Sequence, residues 1–166
     1  MTESSSSTLS VLKTVSNLDL PHEVIEIDPA LADTALFCKR YGFPMEQSGN
    51  TIIVASKKEP KVFVACVVLA TTRLDVNKLL RKLMGVSKVS FASAEEMKEL
   101  TGMEIGGVTP FSLPEELQLY VDSRIMELDW VILGGGGRDH KLKISPEVFH
   151  QLGAEIVENL ALPINT

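Results

Sequence analysis

Val62-Phe63-Val64-Ala65-Cys66-Val67-Val68-Leu69-Ala70 decides the fold class of this chain. The stretch is almost wholly apolar and rich in β-branched residues, the pattern of a central strand covered on both faces. Just before it, Thr51-Ile52-Ile53-Val54-Ala55-Ser56 reads as a second strand. The link Lys57-Lys58-Glu59-Pro60 is polar and contains proline, so the two strands form a hairpin.

Working outward, residues 22–27 read as a strand. Asp28-Pro29 then opens a helix, with Asp28 capping the free N–H groups and Pro29 at the first helical position. Leu31, Ala35 and Cys38 share a face of that helix, and Gly42 ends it ahead of Pro44. Asp75 caps a second helix through Met84, with Leu79, Leu80 and Leu83 toward the core and Gly85 as the stop. After a short strand at 88–91, Ser93-Ala94-Glu95-Glu96 is a capping-box pattern for a third helix, which Gly102 ends. Residues 118–121, 130–133 and 142–144 read as strands. Ser145-Pro146 opens a final helix, Gly153 closes it, and 155–157 adds an edge strand. Hairpins are mixed with crossovers, so the expectation is a single mixed α/β (α+β) domain with a curled mixed sheet and helices on its outside. The Ser-rich start, residues 1–17, is expected to be partly disordered, with a short helix at 9–17 carrying Leu9, Leu12 and Val15 on one face. Residues 18–166 form the domain.

A chain of 166 residues is long enough to bury a core without staples. Its 16 basic and 22 acidic residues give a formal charge of −6, which argues against non-specific coating of nucleic acid. It leaves room for a small basic mouth taking one nucleic-acid end. Two cysteines, Cys38 and Cys66, exclude a disulfide scaffold and a thiolate zinc site, and both are expected to be buried and inert. No segment approaches the ~18 apolar residues of a membrane span. The N-terminus has no secretory pattern, so a cytoplasmic location is expected.

Two glycine-bearing stretches could carry chemistry. In Thr101-Gly102-Met103-Glu104-Ile105-Gly106-Gly107-Val108-Thr109-Pro110, successive N–H groups could form an anion nest or oxyanion hole. The plainer alternative is a helix cap at Gly102 and a tight turn before the proline. In Gly134-Gly135-Gly136-Gly137-Arg138-Asp139-His140, the glycines lead into a strand, which excludes both a phosphate-binding loop and a dinucleotide fold. What remains is a backbone that lines a pocket or a flexible hairpin tip. The three histidines, His22, His140 and His150, have no metal-ligand spacing, so no metal and no cofactor is expected. Basic residues cluster at 57–61, at 73–88, and at Arg138, Lys141 and Lys143. Each cluster reads as a solvated face.

Taken in order, these pieces resemble the YbaK/EbsC family, the prolyl-tRNA synthetase-associated editing domains. The resemblance rests on Tyr41-Gly42-Phe43-Pro44, Asp75-Val76-Asn77-Lys78-Leu79, Ser90-Phe91-Ala92-Ser93-Ala94-Glu95-Glu96, Thr101-Gly102, Gly106-Gly107-Val108-Thr109-Pro110, Tyr120-Val121-Asp122, the 134–138 loop and Leu142-Lys143-Ile144-Ser145-Pro146. It covers roughly residues 20–160. It implies a barrel-like sheet and hydrolysis of the ester joining a wrong amino acid to the 3′ end of tRNA. With no synthetase core in the chain, it resembles the free-standing kind that edits in trans, with charged tRNA and a synthetase as expected partners. Gly106 to Pro110 would hold the ester, with Gly102, Gly107, Val108 and Thr109 at the substrate. Gly134, Gly135 and Gly136 would form the opposite wall, with Arg138 or His140 near the tRNA terminus. Family deacylases usually carry a lysine, followed by Thr or Ser, at the start of the strand after their Gly-Val-Pro segment. Here the matching position is Asn50, before Thr51. That departure keeps two other readings open: a binding module of the same fold, and a hydrolase of small aminoacyl esters.

Overall fold

The structure is a computed structural model that describes residues 6–103 and 107–164. Helix α1 (Ser6–Ser16) leads to strand β1 (His22–Glu26), a 3-10 turn at Pro29–Leu31 and helix α2 (Thr34–Tyr41). Strands β2 (Gly49–Ser56), β3 (Phe63–Leu69) and β4 (Thr72–Leu74) follow. A π-helical turn at Val76–Leu80 runs into α3 (Arg81–Met84), then β5 (Val89–Phe91) and α4 (Ala94–Thr101). The second half holds β6 (Gln118–Asp122), β7 (Val131–Gly134), β8 (His140–Ile144), α5 (Val148–Gln151), β9 (Glu155–Val157) and β10 (Ala161–Pro163).

Strand β3 is central, pairing antiparallel with β2 and parallel with β6 in a mixed sheet ordered β5-β2-β3-β6-β9. Alternation sends its side chains into two separate cores. Ala65, Val67 and Leu69 join the main cluster with Phe111, Val121 and Leu133. Val64, Cys66 and Val68 pack on the other side with Leu80, Tyr120 and Leu160. Burial pushes the Cys66 thiol up to about 12, so it is an inert core residue. A second, antiparallel sheet has the order β1-β8-β7, and β4 pairs with β10. Among the described residues the strands therefore divide among three sheets. A parallel bridge between Ser48 and Ile132 joins the first two.

Local signals place most element ends. Ser93 and Glu96 close the capping box, each donor–acceptor pair at 3.0 Å. Gly42, Gly85 and Gly102 end their helices at φ of 78°, 69° and 72°. Three expectations change. The helix from Asp28 is broken in two: Asp28 caps only the 3-10 turn, through Ala30 N at 3.0 Å, and the chain restarts at Asp33 in extended geometry. Of the three leucines expected to face the core from the second helix, Leu80 is fully buried, whereas Leu83 is exposed. Helix α1 spans residues 6–16, and its buried face carries Val11 and Val15, one turn apart, while Leu9 is exposed. Those two valines belong to the main cluster, so α1 is packed into the domain core.

Candidate functional site

The two glycine stretches meet backbone to backbone. Gly136 N–H donates to Gly107 O at 2.6 Å. A Cβ on Gly107 would collide with the Gly137 backbone, one on Gly134 with the Val108 carbonyl, and one on Gly135 with the His140 carbonyl. Side chains are excluded here because the two chains need the space. All of residues 134–137 are buried, which sets aside an exposed flexible hairpin tip.

This junction forms one side of a cavity of about 470 Å³. Val108 and Gly134 line it there, and Asn50 and Thr51 of β2 line it too. Asp33 and Thr34 at the start of α2 also line it, as do Phe91 and Met97. The size suits a small-molecule group rather than a macromolecular face. Thr34 Oγ1 donates to Asn50 Oδ1 at 2.6 Å, which fixes the carboxamide oxygen toward α2 and leaves its NH2 group for a ligand. Thr51 Oγ1 is buried with no hydrogen-bond partner among the described residues.

The other expected residues stand behind or beside this cavity. Gly107 and Pro110 are buried, as is Thr109, whose Oγ1 has no partner among the described residues. Gly135 and Gly136 back Gly134 from within. Gly102 is exposed at the end of α4, where its N–H caps Lys98 O at 2.8 Å. Arg138 donates to Pro29 O at 3.1 Å and pairs with Asp33 at 3.8 Å, so it reaches the rim through Asp33. His140 is buried between Asp139, at 3.3 Å, and Glu26, at 3.8 Å. Gly106 lies outside the described residues. Asp122, from the Tyr120-Val121-Asp122 motif, is structural: its carboxylate accepts from Ala161 N at 2.8 Å and from Arg124.

One cavity residue, expected on a solvated face, is buried instead. Lys141 is 5% exposed and lines the cavity. In the β7–β8 ladder it lies opposite Gly134, and its ammonium sits 5.6 Å from the Phe37 ring centroid. Burial pushes this ammonium down to about 8; the Cys38 and Asp33 side chains act against that, while the neighbouring Arg138 adds to it. The available signal was alternation, because Leu142 and Ile144 face the main core and so turn Lys141 to the α2 side. A second cavity, about 770 Å³, lies beyond Phe91, whose ring borders both cavities and is 60% exposed. Arg73 and Lys78 line that second space.

Residues 28–152 match the model of the aminoacyl-tRNA editing domain. The chain belongs to that family. The chain is 24% identical over 126 residues to the uncharacterized protein YwhH of Bacillus subtilis (strain 168), covering 76% of this chain and 78% of that protein. It is 30% identical over 104 residues to a proline–tRNA ligase of Maridesulfovibrio salexigens, covering 62% of this chain but 17% of the ligase. The fold is that of a crystal structure described as a candidate trans-editing enzyme for prolyl tRNA synthetase, with a TM-score of 0.79 at 23% identity over 94% of this chain and 98% of that one. Both glycine stretches, Asn50 and Lys141 fall inside the editing-domain segment. Among the described residues no helix is long and apolar enough to cross a membrane, and no His/Cys/Asp/Glu group is placed to hold a metal ion.

Proposed function

We propose that this chain is an aminoacyl-tRNA editing hydrolase that acts in trans, in the cytoplasm, on the ester at the 3′ end of mischarged tRNA. The observation that carries the reading is the cavity itself, lined by Val108, Gly134 and Asn50 within the editing-domain segment. Ester hydrolysis needs a positioned water and donors for the developing oxyanion, and no protein nucleophile. The Asn50 NH2 group is such a donor, and Val108 brings the backbone of its segment to the cavity. Ile52, Ile53 and Met97 make the wall apolar, so amino acids are selected by side-chain size. Such a pocket separates neighbours by only ~1–3 kcal/mol per methylene, which is why a separate editing step is useful. The exposed ring of Phe91 offers a stacking surface for a terminal base, with Arg73 and Lys78 beyond it for phosphates. Only this end of the tRNA needs a basic contact, which reconciles the −6 charge with the substrate.

Asn50 also favours a second reading, a binding module for charged tRNA or a synthetase, because a neutral side chain stands where the family's deacylases usually carry a lysine. Mischarged tRNAs and their non-hydrolysable amide analogues separate the two. The hydrolytic reading expects at least one ester to be cleaved; the binding reading expects bound amide and intact ester. A small-ester hydrolase would instead cleave aminoacyl-adenosine with no salt dependence, whereas tRNA cleavage should weaken as salt rises.

A further inference from the structure

We infer that the tRNA lies along a basic band made by Arg73, Lys78, Arg81, Lys82, Lys88 and Lys57, which takes the backbone phosphates of the acceptor end behind the terminal adenosine. The inference rests on the editing reading above and names the surface that holds its substrate.

Three observations carry it. The first is charge. Residues 57–88 hold eight of the chain's 16 basic residues and only two of its 22 acidic ones, a charge of +6, so the rest of the chain carries −12. A face kept for solubility alone mixes both signs. Here one sign is gathered on a protein whose net charge is the opposite, and the field of such a molecule turns a polyanion toward that segment.

The second is continuity. Arg73 and Lys78 line the second cavity, which meets the first at Phe91. The helical run from Val76 to Met84 places Lys78, Arg81 and Lys82 at i, i+3 and i+4, on one face. Arg81 Nη1 donates to Ser87 O at 3.2 Å, which brings that face to Lys88. Lys88 O in turn accepts from Lys57 N at 3.0 Å, at the end of β2. Cations thus follow one another from the second cavity to the β2–β3 hairpin. An acidic protein would also suit their charge, but the continuity favours RNA. A strand whose aminoacylated end enters the first cavity carries its next phosphates past Phe91 and onto this band.

The third is availability. All six side chains belong to exposed residues, and none makes an ion pair among the described residues. The acid in the second cavity, Asp75, is turned to its own helix, where its carboxylate accepts from Lys78 N at 3.2 Å. Lys61, a neighbour left out of the band, is held by Glu96 at 2.7 Å.

The test measures the affinity of the full chain for a tRNA carrying alanine through a non-hydrolysable 3′-amide, across about 50 to 200 mM salt. The proteins are the wild type, K82Q/K88Q, K57Q/K82Q as a second pair, and K13Q as a charge-matched change outside the segment, each with a thermal melt. One phosphate contact contributes ~0.7–0.9 to the slope of log affinity against log salt, so each pair should lower its magnitude by about 1.5. K13Q should keep the wild-type slope. A wild-type slope in both folded pairs overturns the band, and cleavage of mischarged tRNA by the same proteins then leaves editing standing. An equal fall in K13Q also overturns it, because net charge alone is then at work. A defect confined to binding a synthetase overturns it in favour of a protein partner. A wild type that neither binds nor cleaves any charged tRNA overturns the editing reading and this one together.

Discussion

The two sides of the cavity are made differently. On one, the 107–108 and 134–137 segments meet through backbone atoms, and a Cβ added to Gly107, Gly134 or Gly135 would collide with backbone. On the other, Thr34, Asn50 and Lys141 reach in as side chains from α2, β2 and β8. The backbone wall therefore sets shape, and almost any substitution there damages the fold. The side-chain wall sets chemistry, and can be exchanged while the shape survives. That difference predicts opposite mutational signatures.

The largest effect should come from the backbone wall. Gly107→Ala must push Gly137 away and break the Gly136–Gly107 hydrogen bond, a loss of about 4 kcal/mol in urea unfolding through overpacking and the lost bond together. A loss below ~1 kcal/mol would mean that the two loops yield easily and that the wall is not rigid.

Beside that wall, across the β7–β8 ladder from Gly134, Lys141→Met should make the stability less dependent on pH. The folded state holds the ammonium at about 8 against an ordinary 10.5, so the unfolded chain binds more protons between those values and stability rises with pH across that window. The cost is fully present below about pH 8 and relieved toward pH 10.5, so K141M should gain up to about 3 kcal/mol at pH 7 and little above pH 10. Chemical melts of both proteins at the two pH values read this directly, and a pH-independent difference would contradict the buried-ammonium explanation.

Thr34→Val, which deletes the 2.6 Å bond to Asn50, should cost only about 1 kcal/mol of stability yet slow ester cleavage about tenfold by releasing the carboxamide. Equal cleavage rates would show that Asn50 needs no orientation. The smallest stability change, within ~0.5 kcal/mol, is expected for Phe91→Ala, because the ring is exposed. Its effect should appear in binding: stacking on one base is worth ~1–3 kcal/mol, so tRNA affinity should fall at least fivefold. Unchanged affinity would remove Phe91 from the tRNA path.

The sequence disclosed what is decided locally or by both faces of an element at once. Strand β3 was legible because a strand buried on both sides needs apolar residues at every position, whatever covers them. The Ser93–Glu96 box was legible because its partners are three residues apart. The break between Asp28 and Asp33 was not, since either aspartate could start a helix. Strands β4 and β10 pair across most of the chain and carry no turn signal that links them. Lys141 was hidden for the same reason. Its burial depends on a glycine across the ladder and on Phe37 from α2, neither of which marks residue 141 in the chain. Of the residues that line the cavity, Asn50, Thr51, Val108 and Gly134 were named from the sequence, whereas Asp33, Thr34 and Lys141 come into view only in three dimensions.

The account stands most directly on the release of amino acid from mischarged tRNA. The measurement is the first-order loss of labelled amino acid from a panel of tRNAs charged with wrong amino acids, with and without the wild-type protein at neutral pH and low salt. The account predicts that at least one ester with a small apolar side chain decays tenfold or more faster with the protein than in buffer. Decay of every member of the panel at the buffer rate would contradict it.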